Sequence, residues 1–276
     1  MSGQALPNVG RITYRENLTP DLAIIRVQPA DGSAVPDFKA GQFVALGLKV
    51  DGDDKIIYRA YSHSSPPEEK RHFEFYIKWA TEPVIGKFTS ALFKMGGSGE
   101  LYWRKPAGAF TIEDKKADGS PETRRLILVA SGTGLAPFIS YVLHLKSAGA
   151  KRQVVVLHGA KYTQELGYRS VLEMMAASDP AFKYLPTVSR PDHLLSQGWR
   201  GSIGRVELLL GSQLEKTVGE KVTPENSFFH ICGYQGTIDA VMTVLGPLGY
   251  VTNRSKRKDG SFDIKIETYG SQEPSL

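Results

Sequence analysis

Two different rhythms of hydrophobic and polar positions divide this chain. Up to about Asp118 the apolar residues fall in short runs that often alternate with polar ones. Residues 11–14, 22–28, 42–48, 73–78 and 100–103 are rich in β-branched and aromatic side chains, which predicts strands. Clusters of Pro, Asp, Gly and Ser at 29–33, 51–54 and 64–67 separate them as turns. Short strands at this spacing predict an antiparallel barrel or sandwich. One helix is expected, over 87–94, where Phe88, Leu92 and Phe93 recur at helical spacing.

Beyond the polar stretch 114–123 the pattern changes. Residues 125–130 (RLILVA) form an unbroken apolar run, as a strand covered on both faces requires. Residues 153–158 form a second such run, and 183–188, 228–232 and 264–267 predict further strands. Helical spacing appears over 137–147, 165–177 and 236–245. Strands alternating with helices predict an α/β doubly wound parallel sheet. The expected organisation is two domains, residues 1–117 and 118–276, which suits a chain of 276 residues.

Composition narrows the chemistry. Lys and Arg number 34 against 29 Asp and Glu, a surplus too small to indicate nucleic-acid binding but suited to anionic ligands. The single cysteine, Cys232, excludes an internal disulfide, a four-cysteine iron–sulfur cluster and a multi-cysteine zinc site. The six histidines show no metal-ligand spacing, so no metal site is expected. The first ten residues lack the features of a secretory signal, and no apolar run approaches the ~20 residues that cross a bilayer. The expected location is the cytoplasm, with no membrane contact.

Several short strings carry possible chemistry. Ser131-Gly132-Thr133-Gly134-Leu135-Ala136-Pro137 follows the strand at 125–130 directly. Its glycines allow a tight turn and close approach of an anion, and the helix behind it offers unpaired N–H groups. It reads equally as an ordinary strand–helix turn, because the third glycine of the dinucleotide fingerprint is missing. The second buried strand runs into His158-Gly159-Ala160-Lys161-Tyr162, with no acid before Glu165. An acid near that point would hold the ribose hydroxyls of NAD. Lys161, Ser189, Arg190 and Arg205 instead fall at strand ends, where they suit a 2′-phosphate or else are solvated surface groups. In the first half, Arg59-Ala60-Tyr61-Ser62 combines a phosphate clamp, a stacking ring and a hydroxyl. The alternative there is a strand with a core Tyr beside a surface Arg. Gly86-Lys87-Phe88-Thr89-Ser90 opens the helix at 87–94, either as a phosphate site or as a simple N-cap.

Taken in order, these strings resemble the ferredoxin–NADP reductase family over nearly the whole chain, in its bacterial NADPH-linked branch. The residues that carry the likeness are RAYS at 59–62, FEFYIK at 73–78, GKFTS at 86–90, SGTGLAP at 131–137, HGAKYTQELGY at 158–168, SR at 189–190, GR at 204–205 and CG at 232–233. The resemblance implies an FAD-binding antiparallel β-barrel followed by an NADP-binding α/β domain. It implies that Arg59 and Ala60 face the FAD phosphates, Tyr61 stacks on the isoalloxazine and Ser62 bonds near flavin N5. Tyr76, Ile77 and Lys78 would line the flavin and its ribityl chain, and Gly86, Lys87, Phe88 and Thr89 the pyrophosphate. Gly132, Thr133 and Gly134 would meet the nicotinamide dinucleotide, while Lys161, Ser189, Arg190 and Arg205 would bind the 2′-phosphate half of NADP(H). Bacterial relatives commonly carry Arg where this chain has Lys161, which keeps the charge and loses the bidentate fork.

Ser62, Cys232, Glu267 and Tyr269 are the residues the resemblance places at the reacting centre. Relatives often end in an aromatic residue over the flavin, but here Tyr269 is followed by seven more residues. Either Tyr269 or the tail 270–276 covers that face. His63, directly after RAYS, reads as a bystander, because hydride transfer is cofactor chemistry.

The implied activity is that of an FAD-dependent oxidoreductase, exchanging electrons between NADPH and an acidic one-electron carrier, ferredoxin or flavodoxin. A monomer is expected. One alternative is an NADH-preferring reductase component of an oxygenase system; another is a non-catalytic flavin- or nucleotide-binding regulator. The basic pairs Arg104-Lys105, Lys115-Lys116 and Arg124-Arg125 and the run RSKRK at 254–258 would steer an acidic carrier, or else are solvated loops.

Overall fold

The computed structural model describes residues 8–50, 52–81 and 84–268. They form two compact units: residues 8–111 with 136–148, and residues 112–135 with 149–268.

The first unit is built on six strands: β1 (Asn8–Thr19), β2 (Leu22–Pro29), β3 (Phe43–Leu48), β4 (Ile57–Ser62), β5 (Phe73–Lys78) and β6 (Gly99–Trp103). They form one antiparallel sheet in the order β4-β3-β6-β1-β2-β5. A bridge between His63 and Phe75 joins the two edge strands, so the sheet curls into a nearly closed barrel. Inward side chains such as Val27, Val44, Leu46, Phe73, Phe75 and Leu101 fill it. Strand β1 is much longer than the four residues its alternation suggested. Two register shifts against β2, at Ile12/Tyr14 and Asn17/Thr19, interrupt the alternation that a sequence pattern needs. Helix α1 (Lys87–Lys94) lies where its spacing predicted and buries Phe88, Thr89 and Leu92.

Helix α2 (Ala136–Ser147) follows the glycine-rich turn in the chain but packs with the barrel. The Tyr141 hydroxyl donates to the Phe110 carbonyl at 2.9 Å, and the two rings stack at 6.1 Å. Gly41, at φ +90°, lies under this contact. A Cβ there would be 2.2 Å from the Phe110 oxygen and 2.3 Å from the Tyr141 ring. Only glycine fits that space and that backbone.

The second unit is a six-stranded parallel sheet. Its strands are β7 (Arg125–Ser131), β8 (Val154–Ala160), β9 (Phe182–Val188), β10 (Ser202–Ile203), β11 (Ser227–Gly233) and β12 (Ile264–Thr268). The order β10-β9-β8-β7-β11-β12 reverses direction beside β7. The crevice outside the carboxyl ends of β7 and β11 is therefore the place where such sheets bind ligands. One face packs Val129, Leu157, Phe229 and Ile231 against Val206, Leu209, Leu214 and Val241. Helices α3 (Arg169–Ser178), α4 (Ser212–Val218) and α5 (Gln235–Leu245) complete the unit.

The helix expected over 165–177 is divided. Thr163–Glu165 is a 3-10 turn, and α3 starts only at Arg169, after Tyr168 at φ +60°. Glu165 is 6 % exposed and turns back to accept the Lys161 N–H at 3.2 Å. That local bond competes with helix formation and holds the chain as a loop beyond β8.

At the opposite, amino end of the sheet, Asp263 is buried between two arginines. Arg124 Nη1 reaches its carboxylate at 2.8 Å and Arg257 Nη2 at 2.5 Å, while Glu122 takes the other face of Arg124. Lys265 pairs with Glu113 nearby.

Candidate functional site

In the barrel unit, β4 places Arg59 and Ala60 on the exposed edge of the sheet, with Tyr61 and Ser62 half-buried after them. The Arg59 guanidinium donates only to the Tyr58 carbonyl, at 2.8 Å, and has no carboxylate partner among the described residues. The Tyr61 ring packs 5.6 Å from Phe88, and burial pushes its phenol up, so it stays neutral. On β5, Tyr76 and Ile77 are buried, whereas Lys78 reaches Asp21 at 3.5 Å.

The start of α1 is shaped by Gly86. Its N–H donates to the Ala80 carbonyl at 2.8 Å, and the Thr89 hydroxyl donates to its carbonyl at 3.2 Å. A Cβ on Gly86 would lie 2.7 Å from the Thr89 oxygen, so the turn closes only around glycine. Among the described residues no side chain caps the helix, and no acid lies in its first turn. The N–H groups of Lys87, Phe88 and Thr89 precede the first helical bond, from Ser90 N–H to the Gly86 carbonyl. Lys87 pairs with Asp53 at 3.2 Å on the surface, a contact that solvent weakens. This cradle of N–H groups and a lysine fits a pyrophosphate.

In the second unit, β7 ends at Ser131 and turns through Gly132–Leu135 as a 3-10 turn. Gly132 sits at φ +55°, and among the described residues nothing lies within 4 Å of where a Cβ would be. The turn thus needs glycine for its backbone, and the described residues leave space beside it for an anion to approach. Across the switch point, the end of β11 comes so close that a Cβ on Gly233 would be 3.2 Å from that of Ser131.

The carboxyl ends of β8, β9 and β10 are tied together by backbone bonds. The Ser189 N–H donates to the Ala160 carbonyl and the Arg190 N–H to the Lys161 carbonyl, both at 3.0 Å. The Gly204 N–H donates to the Val188 carbonyl at 2.8 Å. These links bring Lys161, Ser189, Arg190 and Arg205 to one rim, all exposed. Among the described residues, none of the three cations pairs with a carboxylate. The acid nearest to Lys161 in sequence, Glu165, is committed to the backbone of Lys161.

Two residues at this rim were given no role by the sequence pattern. The Tyr162 hydroxyl accepts from Arg190 Nη1 at 3.1 Å, and the Tyr162 ring lies 4.3 Å from that of His193. They form a small aromatic shelf beside the cations, suited to a planar base.

Cys232 and Glu267 face each other across β11 and β12, with the thiol donating to the carboxylate at 3.8 Å. Cys232 is buried, and burial together with Glu267 pushes the thiol well up, so it is held as a thiol. Tyr269 and residues 270–276 lie outside the described residues. His63 is 1 % exposed, packed 4.1 Å from Phe38 and 5.5 Å from Phe73.

Comparison with known proteins agrees with this arrangement. Residues 10–112 match the oxidoreductase FAD-binding domain, and residues 128–243 match the oxidoreductase NAD-binding domain. The chain is 30% identical over 238 residues to a ferredoxin–NADP reductase from Azotobacter vinelandii, covering 83% of this chain and 86% of that protein. It is 28% identical over 238 residues to the ferredoxin–NADP reductase of Pseudomonas aeruginosa, with the same coverage. The fold is shared with the crystal structure of a ferredoxin NADP+ reductase from Neisseria gonorrhoeae with bound FAD and NADP, at a TM-score of 0.77 and 22% identity. That match covers 96% of this chain and 99% of the other. With a barrel and a doubly wound sheet in this order, and with relatives matched along most of both chains, the protein belongs to the ferredoxin–NADP reductase family.

Proposed function

We propose that this protein carries electrons between NADPH and a one-electron carrier, ferredoxin or flavodoxin, by way of FAD. The observation that supports NADPH most directly is the rim of cations that, among the described residues, pair with no carboxylate. Lys161, Arg190 and Arg205, with the Ser189 hydroxyl, offer charge-assisted bonds to a 2′-phosphate. An NADH enzyme needs an acceptor for the ribose hydroxyls at this point, and Glu165 is turned away from that role.

In this reading residues 1–117 hold FAD and residues 118–276 hold NADP(H). The N–H groups of Lys87, Phe88 and Thr89 bind the FAD pyrophosphate, and Arg59 adds charge to that contact. Tyr61 and Ser62 orient the flavin ring, with Tyr76, Ile77 and Lys78 along its other side. The turn Gly132-Thr133-Gly134 receives the nicotinamide dinucleotide, and Tyr162 and His193 offer a shelf for its adenine. Cys232 and Glu267 present a thiol and a carboxylate at the nicotinamide end, and Tyr269 is the candidate cover. FAD held by these residues would supply the exchange between two-electron hydride and one-electron chemistry, which no side chain supplies.

The exposed Lys115, Lys116, Arg254, Lys256 and Lys258 suit an acidic carrier, whereas Arg124, Arg125 and Arg257 are held by carboxylates and do not. The reading places the protein in the cytoplasm; among the described residues no helix is long and apolar enough to cross a membrane.

The test is to add NADPH and, separately, NADH to the FAD-loaded protein and follow bleaching of the flavin. Faster bleaching by NADPH supports the proposal. Equal or faster bleaching by NADH favours the oxygenase-type alternative, and no bleaching favours the non-catalytic one.

A further inference from the structure

We propose that Trp199 is a positioning residue for recognition of the 2′-phosphate, its indole fixing the backbone that carries Lys161, Arg190 and Arg205 so that the three cations converge on one anion. The inference rests on the reading of that rim as the 2′-phosphate site and goes beyond it by naming what holds the rim in register.

The three cations come from three segments. Lys161 follows β8, Arg190 follows β9 and Arg205 follows β10. All three are exposed, and like charges brought together repel. Their convergence therefore depends on the backbone beneath them being held firmly. The sheet does little for the third segment. β10 is an edge strand of two residues, pairing Ser202 with Thr187 and Ile203 with Val188.

The half-buried Trp199 joins all three segments. Its ring packs against Ala160, Leu166 and Val188, a small cluster apart from the main core of the sheet. Ala160 directly precedes Lys161, and Val188 directly precedes Ser189 and Arg190. The indole Nε1–H donates to the Ser202 carbonyl at 2.9 Å, at the start of β10 and three residues before Arg205. The Trp199 backbone N–H donates to the Ser196 carbonyl at 3.0 Å, and the buried Ser196 hydroxyl accepts the Thr163 N–H at 3.2 Å. The loop after β9 is thereby stitched to the loop after β8. The Arg169 guanidinium lies 5.0 Å from the ring and pairs with Glu173 at 2.7 Å, so it covers the indole rather than adding to the rim.

The chain is shaped to admit this ring. A Cβ on Gly201 would lie 2.4 Å from the indole, and the three heavy atoms nearest to it all belong to Trp199. Residues 199–202 can thus fold closely over the ring, which brings Nε1 to the Ser202 carbonyl. Beyond Ser202, Gly204 is held by β9: its N–H donates to the Val188 carbonyl at 2.8 Å, and its carbonyl accepts the Thr187 hydroxyl at 2.9 Å. Arg205 therefore leaves a backbone placed by the indole on one side and by β9 on the other. The indole acts through the three cations and makes no contact of its own with the nucleotide.

The experiment uses the full-length, FAD-loaded protein and calorimetric titration with NADP+, NAD+ and adenosine 2′-phosphate. Trp199→Phe keeps a ring and removes the donor to Ser202. Gly201→Ala keeps the indole and pushes it aside; the backbone of Gly201 is outside the left-handed region, so the strain falls on the ring. It carries the comparison if Trp199→Phe does not fold. We expect each variant to weaken NADP+ and adenosine 2′-phosphate about three- to tenfold, the effect of one hydrogen bond, and to leave NAD+ within about twofold. A merely structural role would weaken all three probes alike, and that result overturns the proposal. Variants that keep the full wild-type preference for NADP+ over NAD+ overturn the role of Trp199 and leave the rim reading standing. A wild-type protein that binds NAD+ as tightly as NADP+ overturns the rim reading, and the role of Trp199 with it.

Discussion

The thiol of Cys232 donates to the carboxylate of Glu267 across paired positions of β11 and β12, at 3.8 Å. Burial is the larger reason the thiol stays protonated, and the negative charge of Glu267 adds to it. The lone cysteine is therefore a poor nucleophile in the folded protein. Alkylation by iodoacetamide at pH 8 is expected to be slow in the native state and to become fast on unfolding in guanidinium. Rapid native-state labelling would contradict the buried thiol. Glu267→Gln removes the nearby charge and is expected to raise the native labelling rate only slightly, since burial dominates.

Arg190 is the cation of the rim with the most defined setting, its guanidinium donating to Tyr162 and lying 5.9 Å from that ring. Losing a charge-assisted phosphate bond costs roughly 1.5–3 kcal/mol, or about 10- to 150-fold in binding. Arg190→Ala is expected to raise the KM for NADPH within that range and to leave the KM for NADH nearly unchanged. Steady-state kinetics with both nucleotides checks this, and similar effects on the two would remove Arg190 from the phosphate site.

Two fully buried histidines make stability depend on acid. Burial holds both His63 and His158 down to about 3, against about 6.5 when exposed in the unfolded chain. Above pH 6.5 both states are neutral and neither residue adds a pH dependence. Between 6.5 and 3 the unfolded chain binds protons that the folded chain refuses, so stability falls as pH falls. The loss approaches about 1.4 kcal/mol per pH unit for each residue. His63 has no hydrogen-bond partner for either nitrogen among the described residues, so His63→Leu removes its share at little cost in contacts. Urea unfolding at pH 7 and pH 5 is expected to show the variant gaining about 2 kcal/mol on the wild type between the two. A constant difference would mean that His63 is protonated in the folded state.

Asp263 holds two arginines at the amino end of the parallel sheet. Its side chain is 4 % exposed and contacts Arg124 at 2.8 Å and Arg257 at 2.5 Å. It also accepts the Val251 N–H at 3.0 Å. Removing one partner of a buried ion pair leaves uncompensated charge and costs about 3–5 kcal/mol. Asp263→Ala is expected to lose that much in guanidinium unfolding. Asp37→Ala, whose fully exposed carboxylate meets Lys70, is expected to be nearly silent.

How much of this was legible in the sequence differs from element to element. The helix Lys87–Lys94 and the strand Phe73–Lys78 match the residues their patterns predicted, because periodicity and turn signals are local. The two-residue strand Ser202–Ile203 and the short helix Ser212–Val218 left no pattern long enough to read. Strand β1 hid its length behind two register shifts, and Glu165 divided a helix by bonding to its own loop. The glycine turn, the basic strand ends and the family likeness were visible as strings of residues. Their convergence was not.

By itself, then, the sequence determined the two kinds of architecture and the types of residue at each strand end. Those follow from hydrophobic spacing and backbone preference within a few positions. Only the tertiary structure decided that His63 and Phe75 close the barrel, that α2 packs with it, and that Lys161, Arg190 and Arg205 share one rim. It also decided that the Tyr184 hydroxyl meets His158 Nδ1 across β8 and β9. Each of these depends on strand order and register between distant segments, which burial and hydrogen bonding select among alternatives that one-dimensional periodicity leaves equivalent.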